Sequence, residues 1–263
     1  MTPEKVIEVM NVGKRYRDHI VLDNVNFAVF RGEIVAILGS SGCGKSTLMR
    51  IMAGLESPTS GQVLVDGMEP GSRNIIRKAG ILFQNNALFG SMTIGENIAL
   101  PVSEYTRLGK KTVRKIVEMK LAMVGLADFQ DYLPSEISGG MKKKAALARA
   151  LALNPPTLFL DEPTSGLDPI SSAEIDELIL HINRTAGTTM VVVTHELDSV
   201  FKIAPRVIML DKVRRGIIDE GDPEFLKHNS PHPFVRQFFN RQPRSEDIPA
   251  PAIPALTGPD EFR

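Results

Sequence analysis

The sequence predicts an α/β protein built on a mostly parallel central sheet, and three observations carry that reading. Four short runs are apolar without a break: Glu33–Leu38 and Thr157–Leu160, each after its first residue, Gly80–Phe83 and Met190–Val193. Unbroken apolar runs of strand length mark strands buried on both faces, as in parallel sheets. Stretches of helical character separate them, which is the alternation of an α/β fold. Between Gln84 and Pro155 the pattern changes, and a helical block interrupts the succession of strands.

Taken in order, Val6–Val9 alternates polar and apolar residues, and Asn26–Phe30 reads as its antiparallel neighbour, with Asp23-Asn24 as the turn between them. Glu33–Leu38 is the first buried strand. A Gly-rich loop follows, and a helix begins near Ser46. In the middle block Val113, Ile116, Val117, Leu121 and Val124 recur at helical spacing over Lys111–Val124 with charges opposite. A second, Ala-rich helix is expected over Lys142–Leu153. Val207–Leu210 and Gly216–Ile218 flank the charged segment Asp211–Arg215, as a hairpin would. From Arg241 on, Pro243, Pro249, Pro251, Pro254 and Pro259 with few large apolar residues predict an extended tail.

Composition narrows the function classes. The 31 Lys and Arg balance 31 Asp and Glu, which argues against a nucleic-acid partner, since such proteins carry a basic excess. No apolar run reaches the ~18–20 residues needed to cross a bilayer, and the first residues do not open a signal peptide. Membrane work would therefore need a partner. The single cysteine, Cys43, forbids an internal disulfide and suits a reducing compartment. A helix N-terminus could activate this thiol, but its place inside a phosphate-binding loop makes it a spacer.

Gly39-Ser40-Ser41-Gly42-Cys43-Gly44-Lys45-Ser46-Thr47 is a P-loop, preceded by a buried strand and followed by a helix. Its glycines let successive N–H groups point inward around phosphates, and the helix N-terminus adds a favourable dipole. Lys45 is placed to reach the β- and γ-phosphates, Ser46 to ligate Mg²⁺ and Thr47 to bond the α-phosphate. Leu158–Glu162 is an apolar strand ending on two carboxylates, an expensive arrangement unless they face a cation. Asp161 suits the Mg²⁺ shell, and Glu162 a general base or water-orienting role in γ-phosphate hydrolysis.

Ser138-Gly139-Gly140 opening a helix, between a P-loop and a strand ending in Asp-Glu, resembles the signature of the ABC (ATP-binding cassette) ATPases. The resemblance spans residues 5 to about 225. It implies a P-loop cassette with a RecA-like core, an antiparallel β subdomain and an inserted helical subdomain over about 86–154. The cassette would occupy 1–240, with the Pro-rich tail at 241–263. It further implies Tyr16 as the aromatic stacking on adenine and Gln84 as the Q-loop glutamine that touches Mg²⁺ and the attacking water. Ser165–Asp168 would be the D-loop, and His195 the switch histidine at the γ-phosphate. The implied cofactors are ATP and Mg²⁺. The implied catalytic set is Lys45, Gln84, Glu162 and His195, and the metal set Ser46, Gln84 and Asp161. In this family the signature of one cassette closes over the P-loop of another, so the resemblance implies a homodimer in which Ser138, Gly139 and Gly140 meet the partner chain's nucleotide.

The segment Phe83–Pro101, the signature Ser138-Gly139-Gly140-Met141-Lys142-Lys143 and Pro233–Phe238 resemble the ATPases of Mla and MCE-associated lipid transporters. That likeness implies a cassette on the cytoplasmic face of a bacterial inner membrane, held by a permease dimer. An MCE-domain lipid-binding protein, often a STAS-domain subunit, and phospholipid as cargo complete the implied system. Asn85, Asn86 and Lys144 depart from that subfamily's pattern. The alternatives are an ATPase for import of a small polar solute such as an amino acid, a soluble cassette acting on DNA or ribosomes, and an inactive regulatory cassette. The absence of a coiled coil, a second cassette or a basic excess opposes the second, and the presence of Lys45, Asp161, Glu162 and His195 opposes the third.

Overall fold

The computed structural model describes residues 4–71 and 77–243. Two sheets organise it. The first is antiparallel and joins β1 (Lys5–Tyr16), β2 (His19–Phe30) and β4 (Ser60–Val65) in the order β2-β1-β4. The second contains β3 (Ile34–Gly39), β5 (Ala79–Leu82), β6 (Thr157–Asp161), β7 (Thr189–Val193), β8 (Arg206–Asp211) and β9 (Gly216–Gly221). Its order is β5-β6-β7-β3-β8-β9, parallel throughout except for β9, which returns antiparallel to β8.

The unbroken apolar runs are the interior strands, since every residue of β3, β6 and β7 is buried. Each fully buried Val, Leu or Ile contributes about 1.5–3 kcal/mol relative to exposure. One face of this sheet packs Phe159, Val191 and Ile208 against the antiparallel sheet and α1 (Lys45–Met52). On the opposite face Leu38, Leu160 and Val192 meet α5 (Pro169–Ala186), α6 (Leu197–Ile203) and Phe239 of α8 (Pro233–Phe239). A third apolar cluster joins α2 (Ile94–Tyr105), α3 (Lys110–Met123) and α4 (Gly139–Ala150) around Ile98, Val117, Leu121 and Ala148. A capping box starts α2: the Thr93 hydroxyl accepts from Glu96 N–H, and the Glu96 carboxylate accepts from Thr93 N–H.

Three expectations shift. The first hairpin turns at Arg17-Asp18, not at Asp23-Asn24. Asn24 lies inside β2 with φ 49°, and the neighbouring Asp23 N–H donates to Arg215 C=O across 2.7 Å, in the β8–β9 loop. Asx residues tolerate the left-handed region as readily in a strand irregularity as in a turn. Strand β4 was not anticipated, because Ser60, Gly61 and Gln62 lack the apolar alternation that marks a strand. Helix α4 begins at Gly139 rather than Lys142, because the Ser138 hydroxyl caps it by accepting from Met141 N–H.

The hairpin predicted around Asp211–Arg215 is present as β8 and β9. Most of the predicted tail, residues 244–263, lies outside the described residues. None of the described helices is long and apolar enough to cross a membrane.

Candidate nucleotide site

In parallel sheets ligands collect beyond the carboxyl ends of the strands. Here those ends deliver the predicted loops side by side: β3 leads into the P-loop, β6 into Asp161-Glu162 and β7 into Thr194-His195.

The P-loop turns through three glycines with positive φ: Gly39 at 143°, Gly42 at 77° and Gly44 at 101°. At Gly39 a Cβ would stand 2.3 Å from the Leu210 carbonyl, so only glycine lets the loop leave the sheet there. Lys45 curls over the loop, its Nζ donating to the carbonyls of Gly39 at 2.8 Å and Ser40 at 3.3 Å. Ser41 and Gly42 are exposed on the loop's outer turn. Cys43 is buried, and burial pushes its thiol above the ordinary range, so the spacer reading fits and the activated-thiol reading does not.

Two motifs 115 residues apart meet where Ser46 Oγ donates to Asp161 Oδ1 across 3.3 Å. Burial raises the Asp161 carboxyl above its usual range, and the Ser46 bond opposes that rise. A hydroxyl and a buried carboxylate side by side are the donor set for a hard divalent cation. Among the described residues no cluster of three or more His, Cys, Asp or Glu could hold a metal alone.

Glu162 carries unusual backbone geometry. Its φ is 50°, a left-handed conformation that costs a non-glycine residue roughly 1–3 kcal/mol and persists only where the surroundings enforce it. Its N–H donates to Val193 C=O at 2.8 Å. One carboxylate oxygen, Oε1, lies 2.8 Å from His195 Nδ1. The other, Oε2, is buried without a hydrogen-bond partner. The His195 ring itself is half exposed, and its Nε2 approaches Glu196 Oε1 at 3.5 Å.

The remaining candidates divide. Tyr16 ends β1 beside the P-loop: its phenol donates to Glu56 and bonds Thr47, while Lys14 Nζ stands 5.0 Å from the ring centroid. Gln84 is exposed just after β5, and its carbonyl accepts from Lys143 Nζ at 2.8 Å. The signature packs elsewhere. A Cβ on Gly140 would come within 3.1 Å of Ser171 Oγ and one on Gly139 within 3.9 Å of Leu167, so Ser138–Gly140 lies against the start of α5. Asp168 caps that helix, accepting from Ile170 N–H, Ser171 N–H and, at 2.6 Å, the Ser171 hydroxyl.

Sequence reasoning passed over two cations. Lys143 reaches main-chain carbonyls on both sides of the site. Arg149 clamps the segment after Gln84 by donating to the carbonyls of Asn86 and Ala87. Asn86 and Ala87 both have positive φ, 60° and 51°, so an asparagine at 86 suits its backbone. Lys144 pairs with Glu174 at 2.7 Å.

The comparisons follow this geometry. The ABC transporter family model matches residues 22–165. The chain is 39% identical over 229 residues to the intermembrane phospholipid transport system ATP-binding protein MlaF of Haemophilus influenzae, covering 85% of this chain and 86% of that protein. It is 38% identical over 244 residues to the methionine import ATP-binding protein MetN of Haemophilus ducreyi, covering 89% and 70%. Among solved structures, the ATP-binding cassette MJ0796, a dimer in a post-hydrolysis state with ADP and Pi, superposes with a TM-score of 0.75 at 33% identity, over 82% of this chain and 98% of that one. CbiO1 of Clostridium perfringens, part of an ABC transporter complex, gives 0.76 at 30% identity, over 84% and 90%. On that agreement of motif order, geometry and relatives, the chain belongs to the ABC transporter family as an ATP-binding, ATP-hydrolysing cassette.

Proposed function

We propose that this cassette works as one of two identical chains, uses magnesium with ATP, and drives an integral-membrane permease that moves phospholipid between the two membranes of a bacterium. The observation that carries the catalytic part is the pair of contacts Ser46–Asp161 and Glu162–His195, which brings three separated stretches of sequence together at the carboxyl ends of β3, β6 and β7.

In this reading the amides of Gly39–Thr47 and the Lys45 ammonium bind the phosphates, and Tyr16 stacks on the base. Ser46, Asp161 and Gln84 would hold Mg²⁺, which when bound neutralises phosphate charge and orients the γ-phosphoryl group. Glu162 orients the attacking water and accepts its proton on Oε2, the carboxylate oxygen with no other partner. His195 steadies the opposite oxygen and faces the γ-phosphate. Ser138–Gly140 act on nucleotide held by the other chain, in keeping with their distance in sequence and packing from this chain's own P-loop, and Asp168 orders the start of α5 at that junction.

Support for a permease comes from an apolar groove of about 490 Å³ lined by Phe83, Phe89, Leu100, Pro101, Tyr105 and Arg149, directly after Gln84. The cassette would comprise residues 1–240 and sit on the cytoplasmic face of the inner membrane. The MCE-domain and STAS-domain partners belong to the same reading.

Phospholipid as cargo rests on the MlaF relatives, 39% identical in both Haemophilus influenzae and Escherichia coli K12, together with the likeness of Phe83–Pro101. A second reading, import of a small polar solute, is favoured by the MetN relative. Affinity purification of the full chain from native membranes separates the two: co-purification of a permease with phospholipid is expected, and a permease with a small-solute receptor would overturn the lipid assignment. The catalytic assignment is tested by Glu162→Gln. That change should lower ATP turnover by about 10²–10⁴-fold, as removal of a general base does, while ATP binding persists. Undiminished turnover would remove Glu162 from its role.

A further inference from the structure

The site contains one buried cation that neither phosphate binding nor helix formation explains. Lys143 lies one turn beyond Gly139 on α4 and is only 4% exposed. Its Nζ donates to two main-chain oxygens, Gln84 C=O and Glu162 C=O, each at 2.8 Å. These acceptors are 59 and 19 residues away in sequence, at the carboxyl ends of the adjacent strands β5 and β6. Burial pushes the ammonium's pKa down, against the pull of the Glu162 and Asp161 carboxylates. An apolar side chain of similar length would fill the same space without that desolvation cost. Packing alone therefore does not account for a lysine here.

What the ammonium secures is backbone position. Glu162 sits at φ 50°, a conformation its neighbours must enforce. Its N–H is tied to Val193, and its C=O accepts from Lys143 Nζ at 2.8 Å and from Ser165 N–H at 3.3 Å, so both main-chain bonding groups of this residue are fixed, one by the sheet and the other by α4 together with the following turn. Its carboxylate has one oxygen on His195 and one buried without a partner. That second oxygen extends from a backbone that Lys143 helps to hold, with Val193 and Ser165 as its other partners.

We propose that Lys143 is a positioning residue for hydrolysis: by gripping the carbonyls of Gln84 and Glu162 together, it makes the placement of the signature helix determine the aim of the Glu162 carboxylate. The helix that begins with Ser138–Gly140 and the carboxylate of the same chain then move as one unit. A displacement of α4, wherever it originates, reaches Glu162 and the segment after Gln84 through one side chain. This rests on the reading of Glu162 as the group that receives the water's proton, and adds what holds it in register.

The experiment uses the full chain with MgATP and compares Lys143→Gln, which keeps two N–H donors without charge, with Lys143→Met, which removes all donors. The expected result is a graded loss in kcat, about threefold for Gln and tenfold or more for Met, with the KM for ATP within about twofold of the parent; such a split marks an interaction that matters only in the transition state. A purely structural staple would instead leave the folded variant's kcat at the parent value, or lower kcat and ATP affinity together, and either outcome overturns the proposal. If Lys143→Met does not fold, Lys143→Gln decides alone by the same split. Glu162→Gln, measured in parallel, separates the two ideas. An active Glu162→Gln removes the catalytic reading itself. An inactive Glu162→Gln beside a fully active Lys143→Met removes only the role given to Lys143.

Discussion

The P-loop side of the molecule and the signature side are built from similar material, Gly-rich turns opening helices, yet they end in different situations. On the P-loop side, residues from three parallel strands converge: Ser46 on Asp161, and Glu162 on His195. On the signature side, Ser138 is spent capping its own helix, and Gly140 packs on Ser171. In the proposed reading the first region is the place where phosphate and attacking water meet Ser46, Asp161 and Glu162. The second, in the same reading, is a helix start that acts on nucleotide held by another chain. A chain carrying one of each is accounted for by two copies that exchange them, which is the arrangement proposed above.

That contrast can be broken at its strong end first. Lys45→Ala removes the cation that lies along the P-loop and should weaken ATP binding by about 10–100-fold, the loss expected for one or two charge-assisted contacts to phosphate. Equilibrium binding of a fluorescent ATP analogue measures this directly. Unchanged affinity would mean that the loop is not a phosphate cradle.

The weaker end is tested by mixing chains. Gly140→Asp places a carboxylate where the proposal puts another chain's phosphate, so homodimers of it should lose turnover by about 10²-fold or more while each P-loop still binds ATP. Homodimers of Lys45→Ala should lose turnover for the opposite reason, at ATP concentrations below their weakened affinity. In a mixed dimer one site combines both lesions and the other combines neither, so mixing the two dead variants should restore measurable hydrolysis. Failure of the mixture to recover any activity, with hetero-association verified, would show that the two regions do not serve one another across chains.

How much of this was legible beforehand follows the same division. The buried strands announced themselves because burial on both faces leaves an unbroken apolar signature, and Lys45, Ser46, Asp161 and Glu162 could be read because each follows such a strand at fixed offset. The contacts between them could not be read, since Ser46 and Asp161 are 115 residues apart and only the strand order makes them neighbours. Asp23-Asn24 misled because turn chemistry was used for an irregularity within β2. Lys143 reads only as part of the signature segment, because nothing in its spacing tells that its end is desolvated between two carbonyls.

Helix α5 also touches both regions, and it supports the smallest test. Helix α5 meets the signature at Ser171 near its start. At Asp176, further along, it reaches the loop before the helix and the segment after His195: Asp176 Oδ2 accepts from Ser199 Oγ at 3.0 Å, and Ser199 Oγ in turn lies 3.4 Å from Thr164 Oγ1. Asp176 is buried and its Oδ1 has no partner. Burial holds its carboxyl above the usual range, and the Ser199 bond only partly offsets that. A carboxyl with a raised native pKa binds more protons in the folded state than in the unfolded one, so it lowers stability as pH rises through the interval between the two values. At neutral pH the ionised group is a net burden. Asp176→Asn should accordingly raise Tm by about 2–4 °C at pH 7, the scale of ~1 kcal/mol in a chain of this size. The gain should shrink as pH falls through that interval and vanish below the unfolded carboxylate value, where Asp176 is protonated in both states. Nucleotide affinity should not move, because the residue contacts neither the P-loop nor Asp161. A gain that stays constant with pH would place the effect in packing rather than charge, and a change in ATP affinity would mean that α5 couples the two regions more tightly than the hydrogen bonds of Asp176 indicate.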